Sequence, residues 1–172
     1  MFLIQFKFNI PKEHPKTNLV LNKIDLKYTK DISYTKTPDD IANIYKEYDW
    51  RIEIPKIKLN APILEGTDPN VLRKAVGHFE NTGITSGNIC LAAHNRGYKY
   101  NFFQEIKNLR IGNEIIYIVN DKKIMFSVTL NKVIKEWDLS VLENTNENQL
   151  TLITCEENRK EYRRCIIAEE IL

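Results

Sequence analysis

The chain is poor in the residues that would assign it to several common classes. It has three cysteines, Cys90, Cys155 and Cys165, in 172 residues, too few for a disulfide scaffold, and the odd count leaves at least one thiol unpaired. There is no CxxC pair, and the three histidines are His14, His78 and His94, so a structural zinc site is not expected. Lys+Arg 25 against Asp+Glu 23 gives a net charge of +2, and so balanced a surface has no global field for nucleic acid or anionic membrane. No apolar run is long. The opening Met1-Phe2-Leu3-Ile4-Gln5-Phe6-Lys7-Phe8-Asn9-Ile10 is broken by polar residues and falls short of the roughly 20 a span requires. It also lacks the basic flank and small-residue cleavage site of a signal peptide. Repeats and low-complexity tracts are absent.

What remains is ordinary globular composition, 42% hydrophobic and 28% charged, in a length that fills one core. Residues 1–50 read as a Lys-rich arm with a short strand near Leu19 to Leu26, then a short amphipathic helix. Its start is Thr37-Pro38-Asp39-Asp40, a cap, a first-position proline and acids in the first turn; Ile41, Ile44, Tyr45 and Tyr48 follow at helical spacing up to Trp50. Residues 51–172 turn to strand. Pro55 and Pro62 interrupt the first apolar runs, and Thr67-Asp68-Pro69-Asn70 starts a helix carrying Val71, Leu72, Ala75 and Val76. A strand Asn88–His94, a short helix over Tyr100–Ile106, and strands Glu114–Val119 and Lys123–Trp137 joined at Asn120-Asp121 come next. A helical loop over Asp138–Glu143 and strands Gln149–Cys155 and Tyr162–Leu172 close the chain. Many short strands with a few short helices predict a closed or nearly closed β barrel.

Two strands end in reactive groups: Thr151-Leu152-Ile153-Thr154-Cys155 in a thiol and Asn88-Ile89-Cys90-Leu91-Ala92-Ala93-His94 in an imidazole. A thiol is only a few per cent ionised at neutral pH, so a nucleophilic cysteine needs a nearby base or cation. An antiparallel hairpin through the turn-like Glu156–Glu161 segment brings Arg164 back beside Cys155, with Arg163 equally good on the residues alone. Taken singly, each has a plainer reading: Cys155 a buried strand-end thiol, His94 a satisfied loop histidine, Arg164 a surface charge. Cys90 and Cys165 read as small buried hydrophobes, with pairing in an oxidising space the other possibility. His78 reads as a turn cap and His14 as a solvated residue of the arm.

The ordered motifs give these residues a common meaning. Ile54-Pro55-Lys56-Ile57, Pro62-Ile63-Leu64-Glu65-Gly66-Thr67, Val76-Gly77-His78, Ala93-His94, Leu109-Arg110-Ile111-Gly112-Asn113-Glu114, Thr151–Cys155 and Arg164-Cys165-Ile166-Ile167-Ala168 resemble the sortases from about Arg51 to the C-terminus. The resemblance implies a mainly β fold, a closed eight-stranded barrel with short helices. It implies a cysteine transpeptidase that cleaves an LPxTG-like sorting signal after its Thr through a thioester on Cys155. His94 would be general acid and base, and Arg164, two positions before the apolar pair Ile166-Ile167, would stabilise the oxyanion or hold the peptide, with Arg163 on the opposite face of the strand. Ala92, Ile153 and Trp137 would line the groove for the signal's apolar part, each having a core-packing reading as well.

The same resemblance implies no metal or other cofactor and a partner amine from peptidoglycan precursor or protein. It places the enzyme on the outer face of the cytoplasmic membrane, the tether lying outside this chain. Ala93 stands where the family commonly has Gly. The loop Phe79–Asn88 offers only Glu80 as an acid, so calcium dependence is not expected. Tyr48-Asp49-Trp50 lacks the proline of a pilin-type lid, which points to class D, with a class B-like housekeeping role next. The rival readings are a different cysteine hydrolase or L,D-transpeptidase-like enzyme, which would not need Arg164, and a non-catalytic β-barrel adhesion module.

Overall fold

The computed structural model describes residues 50–171; the arm, its short strand, the helix before Trp50 and His14 lie outside them. Trp50 is the first residue of the first described strand. Eight strands follow: β1 (Trp50–Ile54), β2 (Leu59–Glu65), β3 (Val76–His78), β4 (Asn88–Ala92), β5 (Glu114–Val119), β6 (Lys122–Lys135), β7 (Gln149–Glu156) and β8 (Arg159–Glu170). They close into a barrel in the order β1-β2-β3-β4-β7-β8-β6-β5, which leaves no sheet edge to pair with another chain.

Local chemistry explains most of the corners. Pro55–Ile57 forms a 3-10 turn that ends at Lys58 in the left-handed region. Asp68 caps the four-residue helix α1 (Pro69–Leu72), its side chain accepting from the Asn70 N–H, with Pro69 in the first turn, where its missing N–H costs nothing. The helix is shorter than the expected one, because Val76 already belongs to β3. Asn120 and Asp121 both take positive φ, 47° and 63°, the backbone of a two-residue hairpin whose twist matches its strands. Asp138 caps a 3-10 turn at Leu139–Leu142. The helix expected over Tyr100–Ile106 is instead a run of turns ending in a 3-10 turn at Ile106–Asn108.

Strand parity sorts the apolar residues into two layers. The barrel interior holds Leu91, Ala93, Tyr117, Phe126, Leu150, Leu152, Ile166 and Ala168, with Phe103 and Ile106 from the loop after β4. A second cluster lies outside the wall, where Cys90, Ala92, Ile153 and Cys165 meet Leu72, Phe79, Ile134 and Val141. β4, most of β7 and the Cys165–Ala168 stretch of β8 are therefore covered on both faces, which is why those runs are largely apolar without alternation. Cys90 and Cys165 are free thiols in the outer cluster and fully buried, and burial pushes them up to about 12 and about 11. His78, also fully buried, meets Glu65 at Nδ1 and the Gly83 carbonyl at Nε2, 2.9 Å each. It fastens β2, β3 and the following loop together.

Candidate active site

β4 and β7 pair in parallel, with Ala92 level with Ile153. The Ala93 N–H donates to the Ile153 carbonyl at 3.3 Å and the Thr154 hydroxyl to the Ala93 carbonyl at 2.7 Å. Two residues beyond that last paired rung, His94 and Cys155 emerge level from the two strand ends. β4 itself ends at Ala92, and past it the Asn95 side-chain amide donates to the Cys155 carbonyl at 2.5 Å. Cys155 and His94 thus share the outward parity of Ile153 and Ala92, directly above the outer apolar cluster.

The β7–β8 hairpin forms as expected, but its register corrects the arginine. Arg163 is the residue opposite Cys155, and Arg164 is opposite Thr154. Paired residues on antiparallel strands project to the same face, so Arg163 shares the outward face with Cys155. Its guanidinium is buried and donates to Glu136 Oε2 at 2.8 Å and to the Lys160 and Tyr162 carbonyls at 2.7 and 2.9 Å. Arg164 has the inward parity of Ile166. It bonds Glu156 at 2.9 Å and Asn131 at 3.1 Å, and Asn131 holds the Leu109 carbonyl at 2.8 Å. That arginine laces β6, β7 and the 107–109 segment together at the barrel end.

Burial disfavours the charged form of both the Cys155 thiol and the His94 imidazole. Burial pushes the Cys155 thiol above its ordinary value, opposed by the guanidiniums of Arg163 and Arg96 and reinforced by Glu136. His94 is pushed down to about 4, first by burial and then by the charge of Arg73. Its ring is stacked on Tyr98, centroids 3.6 Å apart and planes 8° from parallel.

The groove residues divide. Ala92 and Ile153 are paired neighbours one rung below the cluster and almost wholly buried, 0% and 3% exposed; they belong to the outer apolar cluster with Leu72 and Val141. Trp137, just past β6, is 63% exposed and lies beside Lys135, whose ammonium stands 5.2 Å from its ring centroid and 4.0 Å from that of Tyr162. Glu136, Asn95 and Tyr98 were not singled out by sequence reasoning; the AHN triplet at a strand end was the available signal for Asn95. A shallow cleft of about 350 Å³ lies elsewhere, between Ile57–Leu59 and Tyr100–Glu105, and none of the cluster lines it.

Fold and site together define a closed β-barrel protein that gathers a cysteine, a histidine and an arginine at the ends of three adjacent strands. Residues 52–171 match the model of the Sortase domain. The chain belongs to the sortase family, whose members are cysteine transpeptidases. It is 30% identical over 148 residues to Sortase A of Bacillus anthracis, covering 83% of this chain and 70% of that protein. It is 29% identical over 107 residues to Sortase D of Bacillus subtilis (strain 168), covering 60% of this chain and 52% of that one. Among solved structures, the pilus-related Sortase C of Group B Streptococcus superimposes with a TM-score of 0.68 at 26% identity, over 73% of this chain and 68% of that chain.

Proposed function

We propose that the chain cleaves an LPxTG-like sorting signal after its Thr and transfers the acyl group to an amine. The reading is carried by one observation: Cys155 pairs with Arg163 across β7 and β8, and the rung two residues before Cys155 pairs Ile153 with Ala92, two residues before His94. The neutral imidazole of His94 takes the thiol proton as Cys155 Sγ attacks the scissile carbonyl. The negative charge that builds on that oxygen faces the Arg163 guanidinium, a fixed cation in a partly desolvated site. The imidazolium returns its proton to the departing amine, leaving a thioester on Cys155. An incoming amine then attacks the thioester, His94 takes its proton, and the thiol is released.

Amide, thioester and new amide are close in energy, so the exchange runs without ATP, metal or other cofactor, and catalysis rests on positioning. The apolar part of the signal lies over the Ala92–Ile153 floor, with Trp137 as an exposed wall. Sortases act at the cell surface, and we place this chain on the outer face of the membrane with peptidoglycan precursor or a protein amine as acceptor. The missing proline in Tyr48-Asp49-Trp50 and the likeness to Sortase D favour class D.

The test is intact-mass spectrometry of the protein incubated with LPxTG-type peptides, with and without an added amine. A thioester adduct that the amine discharges, absent in Cys155→Ala, supports the proposal. Failure of every sorting-type peptide to acylate Cys155 overturns it.

A further inference from the structure

A histidine that moves protons is ordinarily held by a hydrogen bond from its second ring nitrogen to a carboxylate or carbonyl, which fixes the plane of the ring. His78 in this protein has that arrangement on both nitrogens. His94 does not: among the described residues no hydrogen bond to either of its ring nitrogens is found. Its ring nevertheless sits with 6% of its surface exposed, flat against the phenol ring of Tyr98 at 3.6 Å.

Tyr98 is itself well secured. Its N–H donates to Asn101 Oδ1 at 3.2 Å and its carbonyl accepts from Asn101 Nδ2 at 2.9 Å. The loop closes where the Phe103 N–H donates to the His94 carbonyl at 3.1 Å, and Phe103 is sunk in the barrel core at 0% exposure. Gly97 allows the bend with φ of +80°. A loop anchored at both ends therefore presents one aromatic face to one imidazole.

We infer that Tyr98 is the positioning residue of His94, holding the imidazole plane by stacking in place of the usual hydrogen bond. The inference rests on the reading of His94 as acid and base. Stacking leaves both ring nitrogens available, so one nitrogen can take the thiol proton and exchange it with either amine. The electron-rich face also favours the imidazolium while it exists and keeps water off the ring beforehand. The charged and titratable groups acting on His94 and its partner are Arg73 beyond α1, Cys155 with Arg163 and Glu136 beside it, and Arg96 on the loop.

The test combines kinetics with the nitrogen resonances of a ¹⁵N-histidine-labelled protein. Tyr98→Phe keeps the face and is expected to hold kcat within about twofold. Tyr98→Ala is expected to lower kcat for acylation about 10-fold or more at unchanged peptide KM, and to move the His94 titration upward from about 4. Should Tyr98→Ala not fold, Tyr98→Met fills the space without a flat face and carries the same expectation. Unchanged kcat and titration in the Ala or Met protein overturns the inference, as does a Phe variant as impaired as either. His94→Ala separates the levels: retained activity there removes the acid–base role itself, whereas an inactive His94→Ala with unaffected Tyr98 variants removes only Tyr98.

Discussion

Cys155 and Arg163 are cross-strand partners, on one face of β7 and β8, while Arg164 pairs with Thr154 on the other. The two adjacent arginines therefore have separable jobs. On the proposed reading Arg163→Ala removes the cation facing the oxyanion and is expected to lower kcat/KM about 100-fold or more; it also strands Glu136 and the Lys160 and Tyr162 carbonyls, at about 2 kcal/mol of stability. Arg164→Ala strands Glu156 and loosens Asn131, with an expected loss of about 2 kcal/mol of stability and a smaller effect on turnover of the folded protein. Peptide-cleavage kinetics on both variants, with urea denaturation to show that each folds, decide it; a larger loss of turnover in Arg164→Ala would return the oxyanion role to Arg164.

That inversion shows where the sequence was legible and where it was not. The β5–β6 hairpin was readable because Asn120-Asp121 suits a tight turn and the preceding Ile115–Val119 run is apolar and rich in strand-forming residues. The strand ends bearing His94 and Cys155 were readable from the apolar runs before them. Parity was not. Thr151-Leu152-Ile153 and Cys165-Ile166-Ile167 are largely apolar because those stretches of β7 and β8 are covered on both faces, so the alternation that tells one face from the other is missing. A register irregularity between Cys155 and Glu156 shifts the hairpin further from any count along the chain. The Tyr100–Ile106 helix failed for a local reason, since Asn101 spends its side chain on the Tyr98 backbone, a turn-forming bond that competes with helix.

Alkylation should report the thiol environment directly. Cys155 is raised above the ordinary thiol range by burial, with Glu136 adding to the shift and Arg163 and Arg96 opposing it. The thiolate appears only on the alkaline side, so the iodoacetamide rate should still be climbing beyond about pH 8.5, the free-thiol value. Glu136→Gln removes a raising charge and should move the profile to lower pH; Arg163→Ala should move it higher. One adduct per chain is expected, at Cys155, because Cys90 and Cys165 are fully buried.

His94 makes stability depend on pH with a definite sign. Its folded value is about 4 against about 6.5 in an unfolded chain, so between those values the unfolded state binds more protons. Its contribution is complete above about pH 6.5 and is lost as pH falls through the folded value. His94→Gln should flatten the part of the urea-midpoint profile that falls between those limits. An identical slope in the variant would mean that other groups carry it.

Two glycines near the site should respond to alanine for different reasons. A Cβ on Gly77 in β3 would collide with the Gly66 carbonyl oxygen and come within 2.8 Å of Leu72 Cδ2. A backbone oxygen cannot rotate away, so β2, β3 and α1 must shift apart, at an expected cost of about 1–3 kcal/mol. Leu72 belongs to the cluster beneath Ala92 and Ile153, so the displacement reaches the floor under His94 and Cys155, and peptide KM should rise in the folded variant. At Gly97 a Cβ meets nothing within 4 Å, but φ is +80°, so Gly97→Ala pays only the left-handed penalty of about 1–2 kcal/mol. Relaxation of that strain would have to pass through the loop carrying Tyr98. Gly97→Asn, which tolerates the left-handed region better, should recover stability and kcat together, whereas Gly77→Asn should be worse than Gly77→Ala.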